Sequence, residues 1–237
     1  MPDPGDRERY EAIRRRWPEL FTNLADAAYE ILLESSWVSA AEAAEGVRLA
    51  GSGLPRAWAS TGVVYEDPYL LVIRDAVRRP DGALGTYVRT LPASGAAGVA
   101  VLPVMDDQIV LVRHFRHATR AWHLEVPRGF GESHVPATDQ ARQELHEEIG
   151  ARPDALIELG RLHSNNGIAS DCVDLFLAKI HEVGSPEIGE GISGIEFYPP
   201  GQVAGLICTG AITDSFTIAA FTRAELRGLL GRRLTVA

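Results

Sequence analysis

Glu144, Glu147 and Glu148 stand within five residues of one another, in the run Ala-Arg-Gln-Glu-Leu-His-Glu-Glu-Ile-Gly at 141–150. On a helix, at about 100° per residue, the three fall within an arc of roughly 100°. Ala141, Leu145 and Ile149, spaced by four, form the adjoining apolar stripe. The carboxylates therefore stand at the margin of the buried face. Like charges this close repel, by about 0.2–0.5 kcal/mol per pair even when exposed. A hard divalent cation would turn that repulsion into ligation, and clustered oxygen ligands suit Mg²⁺ or Mn²⁺. Taken alone, Glu-x-x-Glu-Glu reads first as a solvated acidic helix face. The surrounding residues change that reading.

Those surroundings resemble the Nudix box, Gly-x5-Glu-x7-Arg-Glu-U-x-Glu-Glu-x-Gly-U, with U aliphatic. Gly129 is followed at that spacing by Val135, Gln143, Glu144, Leu145, Glu147, Glu148, Gly150 and Ala151, so seven of nine named positions fit if Ala151 counts as U. The likeness extends outside the box. Pro80-Asp81-Gly82 with Gly85-Thr86-Tyr87, Leu111-Val112-Arg113-His114-Phe115-Arg116 and Leu124-Glu125-Val126-Pro127-Arg128-Gly129 resemble the ADP-ribose pyrophosphatase branch. So do Asp174-Leu175-Phe176-Leu177-Ala178 and Asp214-Ser215-Phe216-Thr217-Ile218-Ala219-Ala220. The resemblance spans roughly residues 62 to 225 and leaves the first 60 outside it.

The resemblance implies an α/β Nudix fold, with a mixed β-sheet sandwiched between helices. It implies Mg²⁺, with Mn²⁺ as the alternative, held by Glu144, Glu147, Glu148 and the backbone carbonyl of Arg128. Glu147 counts among the catalytic groups as well. The expected reaction is hydrolysis of a nucleoside diphosphate linked to another moiety. ADP-ribose or a related nucleotide sugar would give a nucleoside monophosphate and a sugar phosphate. Such phosphoryl substitution needs mostly placement and charge neutralisation. Branch members take a general base from a loop after the box. Here Glu187 and Glu190 lie in Gly184-Ser185-Pro186-Glu187-Ile188-Gly189-Glu190-Gly191, and Glu190 is the first choice. Arg113, Arg116, Glu125 and Arg128 are the substrate-binding candidates, arginine being suited to bidentate phosphate contacts. His114 and His117 lack a third soft ligand and are not expected to hold metal. The branch also implies a homodimer built through a β-rich segment.

Three departures bear on this. Val135 replaces the box's first glutamate and Gln143 its arginine. Asn165-Asn166-Gly167 stands where the branch carries a proline. The first two support an alternative reading, a catalytically weak Nudix-fold module that binds nucleotides. The third bears on which substrate is taken.

The elements that would hold these residues follow from periodicity and turn signals. Residues 5–35 read as helical from Tyr10, Ile13, Trp17, Leu20, Phe21 and Leu24, with a break at Pro18. Residues 39–60, rich in Ala and Gly, carry no clear assignment. Strands are expected at 69–75 and 86–91 around Pro80-Asp81-Gly82, and at 99–104 and 109–115 around Asp106-Asp107. Further strands are expected at 122–126, 156–162, 173–180 and 195–198. One helix is expected from Thr138 to Ile149, stopped by Gly150, and another from an Asp214 N-cap to about Leu230. The implied organisation is a helical extension at 1–60, a β-rich dimerisation segment at 61–95 and the hydrolase domain at 96–237.

Bulk composition is compatible with this and excludes other classes. The chain has 237 residues and is 46% apolar, enough for a sizeable core rather than disorder. A net charge of -9 argues against a broad nucleic-acid-binding face. No run of about 18 apolar residues exists to span a membrane. Two distant cysteines, Cys172 and Cys208, make neither a disulfide framework nor a zinc site, and the expected compartment is the cytoplasm. The opening Met1-Pro2-Asp3-Pro4 run is charged further on and lacks an apolar core, so no secretory signal is expected.

Overall fold

The computed structural model describes residues 4–186 and 189–231. They form two compact units. One runs to Gly95 and takes in Asn165–Ser170; the other runs from Ala96 to Ser164 and resumes at Asp171.

The first unit contains helix α1 (Pro4–Arg16), strand β1 (Glu30–Ile31), helix α2 (Ser35–Gly51) and strands β2 (Gly62–Glu66), β3 (Leu70–Arg78) and β4 (Leu84–Pro92). Strand β3 is the centre of its antiparallel sheet, pairing with β1, β2 and β4. Strand alternation lets β3 serve two cores. Leu71 and Ile73 pack with Tyr10 and Ile13 of α1, whereas Ala76 packs with Val38 and Ala41 of α2. The helix expected over 5–35 stops at Arg16. A 3-10 turn follows at Pro18–Phe21, as the proline breaks the α pattern. Beyond it the chain is not helical, because Asn23 takes both polar groups of Ile31 with its amide: Ile31 N–H donates to Oδ1 at 2.7 Å and Nδ2 donates to Ile31 O at 2.9 Å. The unassigned Ala-rich stretch is instead α2, whose buried Val38, Ala41, Glu45 and Leu49 keep helical spacing with few large apolar residues.

The second unit is a seven-stranded mixed sheet between helices. Its strands are β5 (Gly98–Met105), β6 (Gln108–Arg116), β7 (Ala121–Glu125), β8 (Arg128–Gly129), β9 (Pro153–Leu162), β10 (Val173–Ile180) and β11 (Ile192–Tyr198). The order is β11-β6-β5-β10-β9, with β10 parallel to β5 and the other pairs antiparallel. Helix α3 (Ala137–Ile149) packs Ala141, Leu145 and Ile149 on one face, against Val99, Val101, Val110 and Val112. Helices α4 (Pro200–Cys208) and α5 (Ser215–Leu226) cover the other through Val203, Ala220, Phe221 and Ala224. Helix α4 has no counterpart in the sequence reading, and α5 ends at Leu226, four residues short of the expected Leu230.

One irregularity of this sheet shapes the site. The β5–β6 hairpin turns at Asp106-Asp107, both at positive φ, but the two strands pair only at Val104↔Ile109 and Met105↔Gln108. Beyond that they splay. β7 then pairs with β6, and β8 pairs with β5 at Val99↔Gly129 and Ala100↔Arg128. The segment 126–129 is thus wedged into the opened hairpin, with Val101 N–H donating to Pro127 O at 2.9 Å. Among the described residues no helix is long and apolar enough to cross a membrane.

Candidate active site

Helix α3 presents its carboxylates where the apolar stripe ends, as the spacing requires. Ala141, Leu145 and Ile149 are fully buried, so the helix cannot rotate the glutamates away without exposing them. Gly150, at φ +62°, ends the helix with N–H donation to His146 O. Glu148 is 2% exposed, and its Oε2 has no hydrogen-bond partner. Glu144 is half-buried and lies against Gly129, where a Cβ would collide with its carboxylate. Burial, then the Glu144 charge, pushes Glu148 up to about 8. Burial, then the charges of Glu147 and Glu190, pushes Glu144 up to about 7. A buried carboxylate oxygen without a donor costs stability unless something positive faces it.

Glu190 is exposed, and its negative charge adds to the upward shift of both Glu144 and Glu148. Glu187 lies outside the described residues. Arg116 is the cation that offsets part of the negative charge on Glu144 and Glu148. It is itself held by Glu125, which is 1% exposed and accepts from Arg116 Nε at 2.6 Å. Glu125 therefore anchors the site's arginine rather than facing solvent. His114 Nδ1 lies 3.4 Å from Glu125 Oε1, and burial beside Arg116 and Arg128 pushes His114 down to about 4. It is a neutral imidazole packed beneath the site. His117 is exposed and contacts Arg120. Arg128 Nη2 stands 3.7 Å from Glu125, and its guanidinium sits 5.1 Å from the Phe216 ring centroid.

Alternation along β6 separates the two arginines that sequence reading grouped together. Arg116 and His114 share one face; Arg113 is exposed on the other, 5.8 Å from the Trp122 ring centroid. Arg113 is thus not brought to the carboxylates. Gln143, at the box arginine's position, donates from Nε2 to Glu147 Oε1 at 2.8 Å. Val135 is half-buried in a turn closed by its N–H to Glu132 O at 3.3 Å. A residue that the sequence reading passed over ties this loop to α3: buried Gln140 donates from Nε2 to Glu132 O at 3.3 Å. Its signal was its place in the arc of Glu144, Glu147 and Glu148, four residues before Glu144. The third departure, Asn165-Asn166-Gly167, belongs to the first unit. There the Tyr87 hydroxyl donates to Gly167 O, and Thr90 N–H donates to Ile168 O at 2.8 Å.

Among the described residues no three His, Cys, Asp or Glu side chains converge into a ready chelate. The donor set still fits a hard cation: oxygens only, one of them buried and unpartnered, beside a glycine whose bare Cα leaves room for a carboxylate.

The model of the NUDIX domain matches residues 95–215, just over half of the chain. The chain belongs to the Nudix family. It is a pyrophosphohydrolase of that type. Among solved structures it is similar to one described as "Crystal structure of ADP compounds hydrolase", with a TM-score of 0.64 and 18% identity over 74% of this chain and 95% of that one. At that identity the likeness establishes the fold. No curated protein matches the sequence. In Nudix terms, the box glycine is the residue wedged beside β5, the box helix is α3, and Val135 and Gln143 are the two positions at which the box departs.

Proposed function

We propose that this Nudix protein hydrolyses ADP-ribose or a related nucleotide sugar, with Mg²⁺, to a nucleoside monophosphate and a sugar phosphate. The observation that carries the reading is the buried, unpartnered Oε2 of Glu148 beside Glu144 and Glu147. Glu144, Glu147, Glu148 and the Arg128 carbonyl would hold the cation. When bound, it supplies charge neutralisation at the phosphoryl oxygens and a lowered pKa for water. The chain's own residues do the rest. Arg116 and Arg128, fixed by Glu125, present positive charge to phosphate oxygens. Glu190, the preferred base with Glu187 as alternative, accepts the proton of the attacking water. The neighbour's description as an ADP compounds hydrolase supports an ADP-containing substrate.

The test is a panel of ADP-ribose, nucleotide sugars, dinucleotides and nucleoside triphosphates, assayed for monophosphate release with and without Mg²⁺. ADP-ribose turnover that disappears on chelation is expected. Binding without turnover across the panel would favour the second reading, a weak nucleotide-binding module. The Gln143–Glu147 hydrogen bond favours that reading to the extent that it draws Glu147 away from a cation.

Residues 61–95 would serve as a dimerisation segment. Val64, Tyr65 and Tyr87 on strands, with Tyr69 in the turn before β3, are each at least 38% exposed and support this, since exposed apolar side chains on a sheet are commonly covered. Light scattering at micromolar concentration should give twice the chain mass. The free thiols of Cys172 and Cys208 suit a reducing, cytoplasmic setting.

A further inference from the structure

The first turn of α5 grips the segment that enters the box glycine. Thr217 is fully buried, and its hydroxyl works in both directions. Its Oγ1 accepts from Val126 N–H at 2.9 Å and donates to Asp214 Oδ2 at 2.7 Å. Asp214 Oδ2 also caps the helix by accepting from Thr217 N–H at 2.8 Å. The same turn reaches the segment's other end. Asp214 Oδ1 stands 3.9 Å from Arg128 Nε, and the Phe216 ring lies under the Arg128 guanidinium. Residues 126–128 have the sheet on one side, through Val101 N–H and Ala100↔Arg128, and this helix turn on the other.

Val126 N–H is a buried donor that the splayed hairpin leaves without a strand partner of its own; the Thr217 hydroxyl supplies the acceptor. One helical turn therefore holds this segment at two points, the Val126 N–H through Thr217 and the Arg128 guanidinium through Asp214 and Phe216, and between them they bracket the approach to the Arg128 carbonyl assigned to the cation. Within the proposed metal-dependent reading, on which it rests, we infer that Thr217 and Asp214 are positioning residues for the Arg128 carbonyl and guanidinium. They set the height of the 126–129 segment against Glu144 without touching substrate.

The experiment is a Mg²⁺ titration of thermal unfolding, with kcat and KM for ADP-ribose, on the wild type, Thr217→Val and Thr217→Ser. Thr217→Val keeps the shape and removes the hydroxyl; Thr217→Ser keeps the hydroxyl. Residues that orient a metal ligand typically change metal affinity or activity by about 10–100-fold. Thr217→Val should raise the Mg²⁺ concentration for half-maximal stabilisation by about tenfold or more and lower kcat similarly, with KM within about threefold. Thr217→Ser should restore both. A wild-type Mg²⁺ response in folded Thr217→Val overturns the proposal, whatever its melting temperature, since a merely structural role would move only stability. If Thr217→Val does not fold, Asp214→Asn decides, because it keeps a capping oxygen and loses only the charge facing Arg128. A shift of about threefold or more is expected there, and a wild-type response overturns the proposal. No Mg²⁺ response in the wild type removes the metal-dependent reading together with this proposal. A normal wild-type response with unaffected variants removes this proposal alone.

Discussion

Both units bury carboxylates, and they treat them in opposite ways. In the first, Asp75 is 2% exposed but accepts from Arg89 Nε at 2.6 Å and from the Tyr10 hydroxyl. Glu45, 5% exposed, is held by Arg48 and by Arg79 Nη2 at 2.8 Å, and hydrogen bonding from Arg48 pushes its pKa down. In the second, Glu148 is as buried as Asp75 but its Oε2 has no hydrogen-bond partner, and burial pushes it up to about 8. Satisfied buried charges hold elements together; an unsatisfied one costs stability that no contact within the chain offsets. Glu125 shows that location alone does not decide, since it lies in the catalytic unit yet is paired with Arg116.

The largest effect should come from breaking a satisfied pair. Asp75→Ala strands Arg89, and removing one partner of a buried pair costs about 3–5 kcal/mol. The urea midpoint should fall accordingly, with kcat per folded molecule unchanged. An unmoved midpoint would mean that these pairs do not hold the first unit. Glu148→Gln is the converse. It should lower kcat at least a hundredfold, about 2.7 kcal/mol of barrier, with the melting temperature equal or higher because an unpaired buried charge is gone. Full activity in this variant would take the glutamates out of the mechanism.

A pH series separates the two kinds of carboxylate. Glu144 and Glu148 have folded pKa values, about 7 and 8, above their ordinary value of 4.5. The folded state therefore binds more protons than the unfolded chain. Their cost is absent below about 4.5 and complete above about 8. Glu45 is shifted down, so its contribution is present at neutral pH and lost in acid. His114, pushed down from 6.5 to about 4, also loses stability as pH falls through that window. Metal-free protein should lose melting temperature from pH 6.5 to 8, and Mg²⁺ should restore it there. Differential scanning fluorimetry in chelator and in MgCl₂ tests this; a flat metal-free profile over that range would contradict it.

The smallest effect concerns Val135 and Gln143. If the family's glutamate and arginine at these positions are ion-pair partners, each single reversion, Val135→Glu or Gln143→Arg, should destabilise. The double variant should recover part of the loss, with a coupling of roughly 1 kcal/mol. Gln143→Arg should not raise kcat. Strict additivity in a double-mutant cycle would refute the pairing, and a large gain in kcat from Gln143→Arg would favour the weak-binding reading.

Most strands and two of the three helices flanking the second unit's sheet, α3 and α5, were legible in the sequence, because each buries one face and shows it as a period of two or of 3.6. The first unit was harder to read. Helix α2 hides its buried face behind alanines, and the run 22–34 looked helical until Asn23 was seen to bond Ile31. Of the site, the clustering of the carboxylates on α3 could be read from spacing, and their role only from the resemblance to the Nudix box. Arg113 could not be told from Arg116, because which strand face meets α3 depends on register across the sheet.

The sequence by itself determined the box helix, its stop at Gly150 and the clustering of Glu144, Glu147 and Glu148, because these follow from local geometry. Tertiary structure decided which charges are satisfied. Glu148 and Asp75 are both acidic residues within predicted elements, and nothing local marks one as unpartnered. The difference comes from groups that only the fold brings near: the Tyr10 hydroxyl that reaches Asp75 is 65 residues away in the chain. Desolvation and hydrogen bonding depend on what the fold brings within about 3 Å, and that distance is set by packing.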